Sequence, residues 1–498
     1  MYKLDWNKYL SGKRLRMSEA DKERFENASI DKRQPFESDF GRVAFSSASR
    51  RMHDKTQVFP LAKEDHIHTR LTHSVEVMNM GYSLGVNLTR NPQFIETYGE
   101  KEANEIGWKI CSILKTACFV HDIGNPPFGH YGEDVMKNYF KKMFNNVTYS
   151  GDRILLGNGT ELRGVNEEQI KEFQKAMSSD EKLDFTQFDG NAEGFRILTK
   201  LQYLDDLYGL NLTYAVLATY LKYPNFGSKD KSKGIAHKKH GIFFTESDYL
   251  KKIAQECALE KGNGTYKRHP LSFLVEAADS LCYLSMDIED GLSKGFFDYN
   301  FVQSKLNTNS TLKEIFEKNK ISSLDGKSIP LKKVQVNFRN AIISYFTDLT
   351  INNFIYHLEN IDKGEYNEEL IKDDPNNVEK ALSEFSIKYI YGNKDIEYLE
   401  LTGQSVINGL LDIYMKLLFN EDEGCRERVR AILPKSIISA AILEAPGCKE
   451  LYETEEIENK NITEIPIAHR LRIIRDHVAG MTDNFAIEQY RKLSGQQI

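Results

Sequence analysis

The chain lacks any apolar run long enough to serve as a secretory leader or to cross a bilayer. Its N-terminus, MYKLDWNKYLSGKRLR, carries charged residues from the third position onward. A signal peptide needs an apolar segment of about 7–15 residues, and a membrane helix needs about 20. We therefore expect a soluble cytoplasmic protein that has no membrane partner.

Cysteine is scarce, and no two cysteines are spaced as a CxxC pair. The six cysteines lie mostly in apolar helical contexts, at positions 111, 118, 257, 282, 425 and 448. This pattern argues against a disulfide framework and against a thiolate zinc site. We expect reduced core residues, as in a cytoplasmic protein.

A large excess of either charge is also missing, since the net charge is −7 over 498 residues. That balance argues against nucleic-acid binding over the whole surface, although local basic patches remain compatible with it. The length suits two or three domains, or one large elaborated domain.

Proline is rare too, with 12 in the chain, and few segments alternate between apolar and polar residues. Apolar residues three and four apart predominate, which predicts a mainly α-helical protein. One such stripe begins at Ala103 and ends with His121 in phase with its buried face. A second helix begins at Pro270 and carries Asp279, and a third begins near His73.

Two stretches have the composition of insertions or loops. The first, residues 145–185, contains GDRILLGNGTELRG, which predicts a hairpin. The second, residues 225–241, is rich in Gly, Ser and Lys and is either a solvated loop or a basic flap over a polyphosphate or nucleic acid. Short polar linkers are predicted at LDGKSIP and KDDPNN.

Four residues with metal-binding side chains recur in a suggestive order. They are His73, the adjacent pair His121 and Asp122, and Asp279. A lone histidine is more often a hydrogen-bonded structural residue than a ligand. A carboxylate such as Asp279, however, is costly among apolar helical neighbours unless it has a partner. Together the four favour a nitrogen-and-oxygen site for a divalent cation with positions left open.

The blocks around these residues resemble those of a known family. The pair lies in HDIGNPPFGHYGE, and further blocks in order are SSASRRMHDKTQVFPL, HTRLTHSVEV, FDGNAEGFRIL, LKYP, EAADS and DHVAGMTDNFA. This set resembles the HD-domain metallophosphohydrolases, and within them the deoxyguanosine-triphosphate triphosphohydrolases. The resemblance implies a helical HD-domain core at 61–300, an N-terminal segment at 1–60 that contributes to the active site, and a helical C-terminal region at 301–498 that packs on the core.

The resemblance also implies roles for individual residues. The metal ligands would be His73, His121, Asp122 and Asp279, and the catalytic pair would be His130 and Glu133. Gln57 and Tyr283 would contact the deoxyribose, Lys222 and Tyr223 would contact the phosphates, and Asn191 would also face the substrate. Arg50 and Arg51 would either bind phosphate or pair with acids in the core. Gln57 could instead be an exposed loop residue, Tyr283 a packed aromatic, and Lys222 an ordinary surface lysine.

The implied reaction is hydrolysis of a deoxynucleoside triphosphate, dGTP above all, to the deoxynucleoside and inorganic triphosphate by water attack on the α-phosphorus. His130 and Glu133, three apart, would share a helical face, with His130 as general acid/base and Glu133 orienting it. The cofactor would be Mn, Mg, Fe or Co. Relatives imply a homo-oligomer, with a hexamer favoured, and a dNTP or single-stranded nucleic acid as a possible effector.

Two alternatives remain open at the level of sequence. One is another HD-domain nucleotide phosphohydrolase, which would share the His-Asp pair but lack the KTQVFP, GNAEGFR and AGMTD blocks. The other is a nucleotide-sensing or single-stranded nucleic-acid-binding regulator with a degenerate site. All six metal and catalytic positions are filled, which argues against degeneration.

Overall fold

The protein is mainly α-helical, as predicted. A computed structural model describes residues 1–16, 33–59, 61, 67–202, 207–262, 264–318, 331–448, 457 and 461–496. The LDGKSIP linker lies outside the described residues.

The helices of the first half are α1 Pro35–Ala44, α2 Ser47–Arg51, α3 Arg70–Thr89, α4 Pro92–Tyr98, α5 Glu100–Val120, α6 Gly129–Met143, α7 Glu167–Met177, α8 Leu183–Thr186, α9 Gly190–Arg196, α10 Tyr214–Tyr220 and α11 Ser247–Glu256. Those of the second half are α12 Pro270–Ser293, α13 Tyr299–Leu306, α14 Ser310–Lys318, α15 Leu331–Lys363, α16 Val378–Ser386, α17 Lys394–Leu418, α18 Glu423–Ile432, α19 Lys435–Glu444, α20 Ile467–Ala479 and α21 Asp483–Leu493.

Strands are few and short among the described residues. β1 Thr148–Ser150, β2 Arg153–Leu155 and β3 Glu161–Leu162 form an antiparallel sheet in that order, and β4 Glu260–Gly262 pairs with β5 Thr265–Tyr266. The β2–β3 hairpin confirms the turn predicted in GDRILLGNGTELRG, with Ile154 opposite Leu162. Both of these side chains are buried, so the hairpin packs one face onto the helices.

The centre of the molecule is the packing of α3 along α5, with α12 lying across both. Their shared interface buries apolar side chains from all three helices, among them Val77, Leu84, Ile110, Leu114, Leu274 and Leu281. Full burial of such a side chain contributes about 1.5–3 kcal/mol. This packing holds rigid the three helices that carry the predicted metal ligands.

Glycine permits the close approach of α3 and α5. A β-carbon on Gly81 would overlap the sulfur of Cys118, and one on Gly85 would press on Cys111. The two helices can therefore approach each other only because these positions lack side chains. A Gly81→Leu change would force them apart and displace His73 and His121, which lie on the same two segments.

Two of the three central helices, α3 and α12, begin with a side-chain cap. The Thr69 hydroxyl accepts a hydrogen bond from the Thr72 backbone N–H at the start of α3, and His269 caps α12 in front of Pro270. Both caps satisfy donors that a helix N-terminus leaves unpaired. The sequence prediction of a helix starting at Pro270 is confirmed.

The C-terminal helices lie against the core at one end of the cavity described below. α17 packs along α6 and also contacts α20 and α21. Tyr139 on α6 donates to Asp412 on α17 over 2.8 Å, and Tyr131 donates to Gln404 over 3.1 Å.

Candidate metal and phosphate site

Three of the four predicted metal ligands converge. His73 lies in the first turn of α3, His121 directly follows α5, and Asp279 lies in the middle of α12. The Nε2 atom of His73 is 3.2 Å from Asp279 Oδ1, and that of His121 is 3.4 Å from the same oxygen. One nitrogen or oxygen atom from each residue lies within 4.8 Å of the other two, a spacing that suits ligands of one cation.

The imidazole of His121 is oriented for ligation. Its Nδ1 lies 2.8 Å from the Cys118 carbonyl, and therefore carries the proton and donates it there. Its Nε2 is buried and has no hydrogen-bond partner among the described residues. An unpaired buried nitrogen facing a carboxylate fits a divalent cation, because a metal-bound histidine commonly donates its other nitrogen to a backbone carbonyl.

The electrostatics of the cluster favour positive charge. Burial lowers the pKa of His121, but the carboxylates of Asp122 and Asp279 outweigh it and raise that pKa to about 9. Burial raises the pKa of Asp279, and the neighbouring His121 more than reverses this and holds it well below its usual range. The residues present therefore fit a divalent metal ion.

Asp122, the fourth predicted ligand, is placed differently. One of its carboxylate oxygens forms an ion pair with the buried Arg70 guanidinium and lies 3.5 Å from His121 Nε2. The cluster of three closely spaced ligand atoms does not include it. Arg70 was missed by the sequence analysis, although it stands three residues before His73 in the HTRLTH block.

His130 and Glu133 lie in the first turn of α6, as their spacing predicted. His130 is exposed, whereas Glu133 is buried, and His130 Nδ1 is 3.6 Å from Glu133 Oε1. The same oxygen accepts the Gly190 backbone N–H over 3.0 Å. Burial raises the pKa of Glu133, but His130 and Lys239 overcome it and hold the carboxyl ionised.

A cavity of about 570 Å³ joins most of the predicted site residues. Its lining includes Gln57, His121, Asp122, His130, Asn191, Lys222, Tyr223, Asp279 and Tyr283. His73 and Glu133 are not among the lining residues. His73 lies next to the lining residue Asp279, and Glu133 lies next to the lining residue His130. A larger basic depression of about 680 Å³, lined by Lys141 and Lys182 among others, contains none of the predicted ligands.

Gln57 and Tyr283, the predicted sugar contacts, both line this cavity. The Oε1 atom of Gln57 is buried and has no hydrogen-bond partner among the described residues, so it keeps an acceptor free. Tyr283 stands one turn after Asp279 on α12, and burial raises the pKa of its phenol well above the usual value. Tyr283 therefore remains a neutral hydrogen-bond donor.

Neighbouring acids orient Lys222, a predicted phosphate contact, and Asn191, which was predicted to face the substrate. Lys222 Nζ lies 3.3 Å from Glu276 and over the ring of Tyr223. Asn191 donates its side-chain amide to Asp189 over 2.8 Å, which leaves its carbonyl oxygen available. Burial lowers the pKa of Lys222, but Tyr223 and Glu276 more than offset this, so it remains cationic.

The 225–241 stretch also contributes to the cavity. Lys238 and Lys239 line it, and Lys238 forms an ion pair with Glu369 over 2.9 Å. Their basic composition was the signal in the sequence, but a solvated loop would have shared that composition. Arg50 and Arg51 are absent from the lining of this cavity. Arg50 donates to the Phe45 carbonyl and Arg51 to that of Gly480.

Two broader properties are visible in the described part of the chain. No helix there has an apolar stretch that would cross a membrane. All six cysteines are unpaired, and all but Cys425 are buried.

Comparisons with known proteins agree with the resemblance seen in the sequence. A phosphohydrolase-associated domain matches residues 452–492. A deoxyguanosinetriphosphate triphosphohydrolase-like protein of Listeria monocytogenes is 31% identical, with 99% of this chain and 100% of that protein aligned. A deoxyguanosinetriphosphate triphosphohydrolase of Enterobacter is 30% identical over 92% of this chain and 93% of its own, and a triphosphohydrolase-like protein of Synechocystis is 30% identical over 99% of both. With this identity over nearly its whole length, the chain belongs to the deoxyguanosinetriphosphate triphosphohydrolase family and is a hydrolase.

Proposed function

We propose that this protein hydrolyses deoxynucleoside triphosphates, dGTP above all, to the deoxynucleoside and inorganic triphosphate in a metal-dependent reaction. The observation that carries the proposal is the convergence of His73, His121 and Asp279 beside a cavity that also holds His130 and Lys222. The relative from Enterobacter, aligned with 92% of the chain, is named for this activity on dGTP.

The metal would be held by His73, His121, Asp122 and Asp279. When bound there, a divalent ion supplies Lewis-acid polarisation of the α-phosphate and lowers the pKa of a water. Two imidazoles among the ligands favour Mn, Fe or Co over a strict preference for Mg. Arg70 would share the charge of Asp122 with that ion, since its guanidinium already contacts the carboxylate.

Proton transfer falls to His130. Its side chain is exposed at the cavity and can reach an oxygen of a bound phosphate ester or an attacking water. Glu133 lies behind it, fixed by the Gly190 N–H, and would orient the imidazole and stabilise its protonated form. His130 would thus transfer the proton, and the buried, ionised Glu133 would hold His130 in place.

Substrate recognition divides between two groups of residues that line the cavity. Gln57 and Tyr283 would pack against the C2′ edge of the sugar and leave no room for a hydroxyl. Lys222, Tyr223 and Asn191 would hold the phosphates, aided by Lys239. Burial lowers the pKa of Lys239, but the carboxylates of Glu133 and Asp189 more than offset this and raise it above its usual value. Lys239 therefore stays cationic beside a polyanion.

We also propose a cytoplasmic homo-oligomer, with a hexamer favoured. The free cysteines suit a reducing compartment, and two large aromatic side chains, Phe45 and Tyr356, stand more than four-fifths exposed. Such residues are more frequent in subunit interfaces than on free surfaces. Light scattering coupled to size exclusion would measure the mass, and a monomer at micromolar concentration would contradict this part.

The decisive experiment is hydrolysis of all four dNTPs, each alone and then in pairs, with Mn or Mg. Ion chromatography would score inorganic triphosphate, and a His121→Ala variant would be the control for contaminating activity. Triphosphate from wild type alone supports the proposal. Release of pyrophosphate and a monophosphate instead would indicate another HD-domain phosphohydrolase, and binding of single-stranded DNA without any hydrolysis would indicate a regulator.

A further inference from the structure

A buried aspartate near the C-terminus contacts two segments of the active site. Asp483 begins α21, within the region matched by the phosphohydrolase-associated domain. Its Oδ1 accepts the backbone N–H of Phe128 over 2.9 Å. Its Oδ2 accepts the backbone N–H of Thr56 over 3.0 Å and also the Thr56 hydroxyl. Asp483 is 1% exposed and does not line the cavity, so it can act on a substrate only through these neighbours.

Both neighbours lie within two residues of the proposed catalytic and substrate-binding side chains. Phe128 precedes α6 in a left-handed conformation, with φ of 61°, and His130 follows two residues later. Thr56 precedes Gln57. A non-glycine residue in this conformation costs about 1 kcal/mol or more, so its surroundings must hold it there. The hydrogen bond from the Phe128 N–H to Asp483 supplies such a restraint.

A second contact joins the same three segments. Lys55 donates through Nζ to the Asn125 carbonyl over 2.5 Å and to the Ala479 carbonyl over 3.2 Å. Asn125 belongs to the segment between His121 and α6, and Ala479 ends α20. The C-terminal turn therefore contacts the start of the catalytic segment and residues 55–56 at two separate points.

We propose that Asp483 is a positioning residue that sets His130 and Gln57 relative to each other, so that the phosphohydrolase-associated region is a structural part of the active site. Only a carboxylate offers acceptors on both oxygens. An asparagine at 483 would place its amide NH₂ against the backbone N–H of either Phe128 or Thr56. Two donors would then face each other, and one of the two hydrogen bonds would be lost. The inference rests on the proposed function for the roles of His130 and Gln57, but its geometry does not depend on the substrate.

The test compares Asp483→Asn with Asp54→Asn. Asp54 accepts from Thr482 and Asn484, so it joins the same two segments without reaching Phe128 or Thr56. We expect Asp483→Asn to lower kcat for dGTP by about 10- to 100-fold, the cost of a misplacement on the order of 1 Å. Its preference for dGTP over GTP should fall as well, with bound metal unchanged. Asp54→Asn should keep both properties near those of wild type.

Thr56→Val supplies a milder variant should Asp483→Asn fail to fold. It removes one hydroxyl donor and leaves the contact to Phe128, so we expect weaker discrimination against GTP with kcat retained. Equal losses in Asp54→Asn, or unchanged kcat and discrimination in Asp483→Asn and Thr56→Val, would overturn the inference.

Hydrogen exchange separates this inference from the proposed function. In the substrate-free protein, Asp483→Asn should speed amide exchange in peptides covering residues 122–135, whereas Asp54→Asn should not. Faster exchange in an enzyme that releases no triphosphate would contradict the proposed function and leave the positioning contact standing. Unchanged exchange in Asp483→Asn would overturn the positioning contact.

Discussion

The buried guanidinium of Arg70 forms an ion pair with Asp122 beside the candidate metal ligands. Arg70 is 3% exposed, and its guanidinium bonds to the carboxylate that lies 3.5 Å from His121 Nε2. The charge of the Asp122 carboxylate is therefore stabilised by a cation that the protein itself supplies. A metal ion beside the same carboxylate would add a second source of positive charge.

Replacing Arg70 by methionine should destabilise the chelator-treated protein by as much as about 3 kcal/mol, because the partly buried Asp122 charge loses its partner. Added Mn²⁺ should restore more stability to the variant than to wild type, since the ion would neutralise the same carboxylate. Urea unfolding with and without metal measures both effects.

The matched control for that change is the double variant Arg70→Met with Asp122→Asn. Removing the orphaned charge should recover much of the lost stability in chelator, as a double-mutant cycle would reveal. A double variant that is as unstable as the sum of the two single variants would show that the pair carries no coupling energy.

His121→Ala should abolish both bound metal and turnover. The imidazole supplies the one nitrogen of the cluster that is buried without a hydrogen-bond partner in the described part of the chain, and no neighbouring group replaces it. Elemental analysis after dialysis gives the metal content. His53→Ala is the control, at an exposed histidine that bonds to the Arg50 carbonyl. If His121→Ala keeps the metal content and activity of wild type, His121 is not a metal ligand and the proposed site is wrong.

Gln57→Ala should lower the preference for dGTP over GTP by about tenfold or more, because a truncated side chain leaves room for a 2′-hydroxyl. The relevant measurement is kcat/KM for each nucleotide at one metal concentration. Gln34→Ala, at the exposed residue before α1, should leave the ratio unchanged. Equal discrimination by Gln57→Ala and wild type would assign sugar selection to other residues.

Local patterns predicted the helices that carry the metal ligands, because a 3.6-residue stripe reveals which face is buried. His121 fell in phase with such a stripe, and Asp279 stood among apolar neighbours. Arg70 was not predicted, because nothing in the local sequence distinguishes a buried arginine from an exposed one. Its partner, Asp122, lies 52 residues away along the chain. Asp483 was missed for the same reason, because its contacts lie 355 and 427 residues away. The family blocks drew attention to both regions, but only packing distinguishes a ligand from the residue that holds it in place.

The stability of the fold should decline in mild acid through His269. This buried ring caps α12: its Nδ1 accepts the Leu271 N–H over 3.2 Å, and its Nε2 donates to the Tyr9 carbonyl over 3.0 Å. Burial lowers its pKa to about 4, against about 6.5 for an exposed histidine. Between these values the unfolded chain binds a proton that the folded protein does not, so stability falls as the pH drops from 6.5 to 4. The difference of about 2.5 pKa units corresponds to about 3 kcal/mol.

His269→Asn keeps a capping side chain but removes the titrating imidazole, so the unfolding free energy of this variant should fall less between pH 6.5 and 4. Urea unfolding at half-unit steps of pH, in chelator, would measure the two slopes, with His53→Asn as the control. Identical slopes for wild type and His269→Asn would show that folding does not lower the pKa of His269.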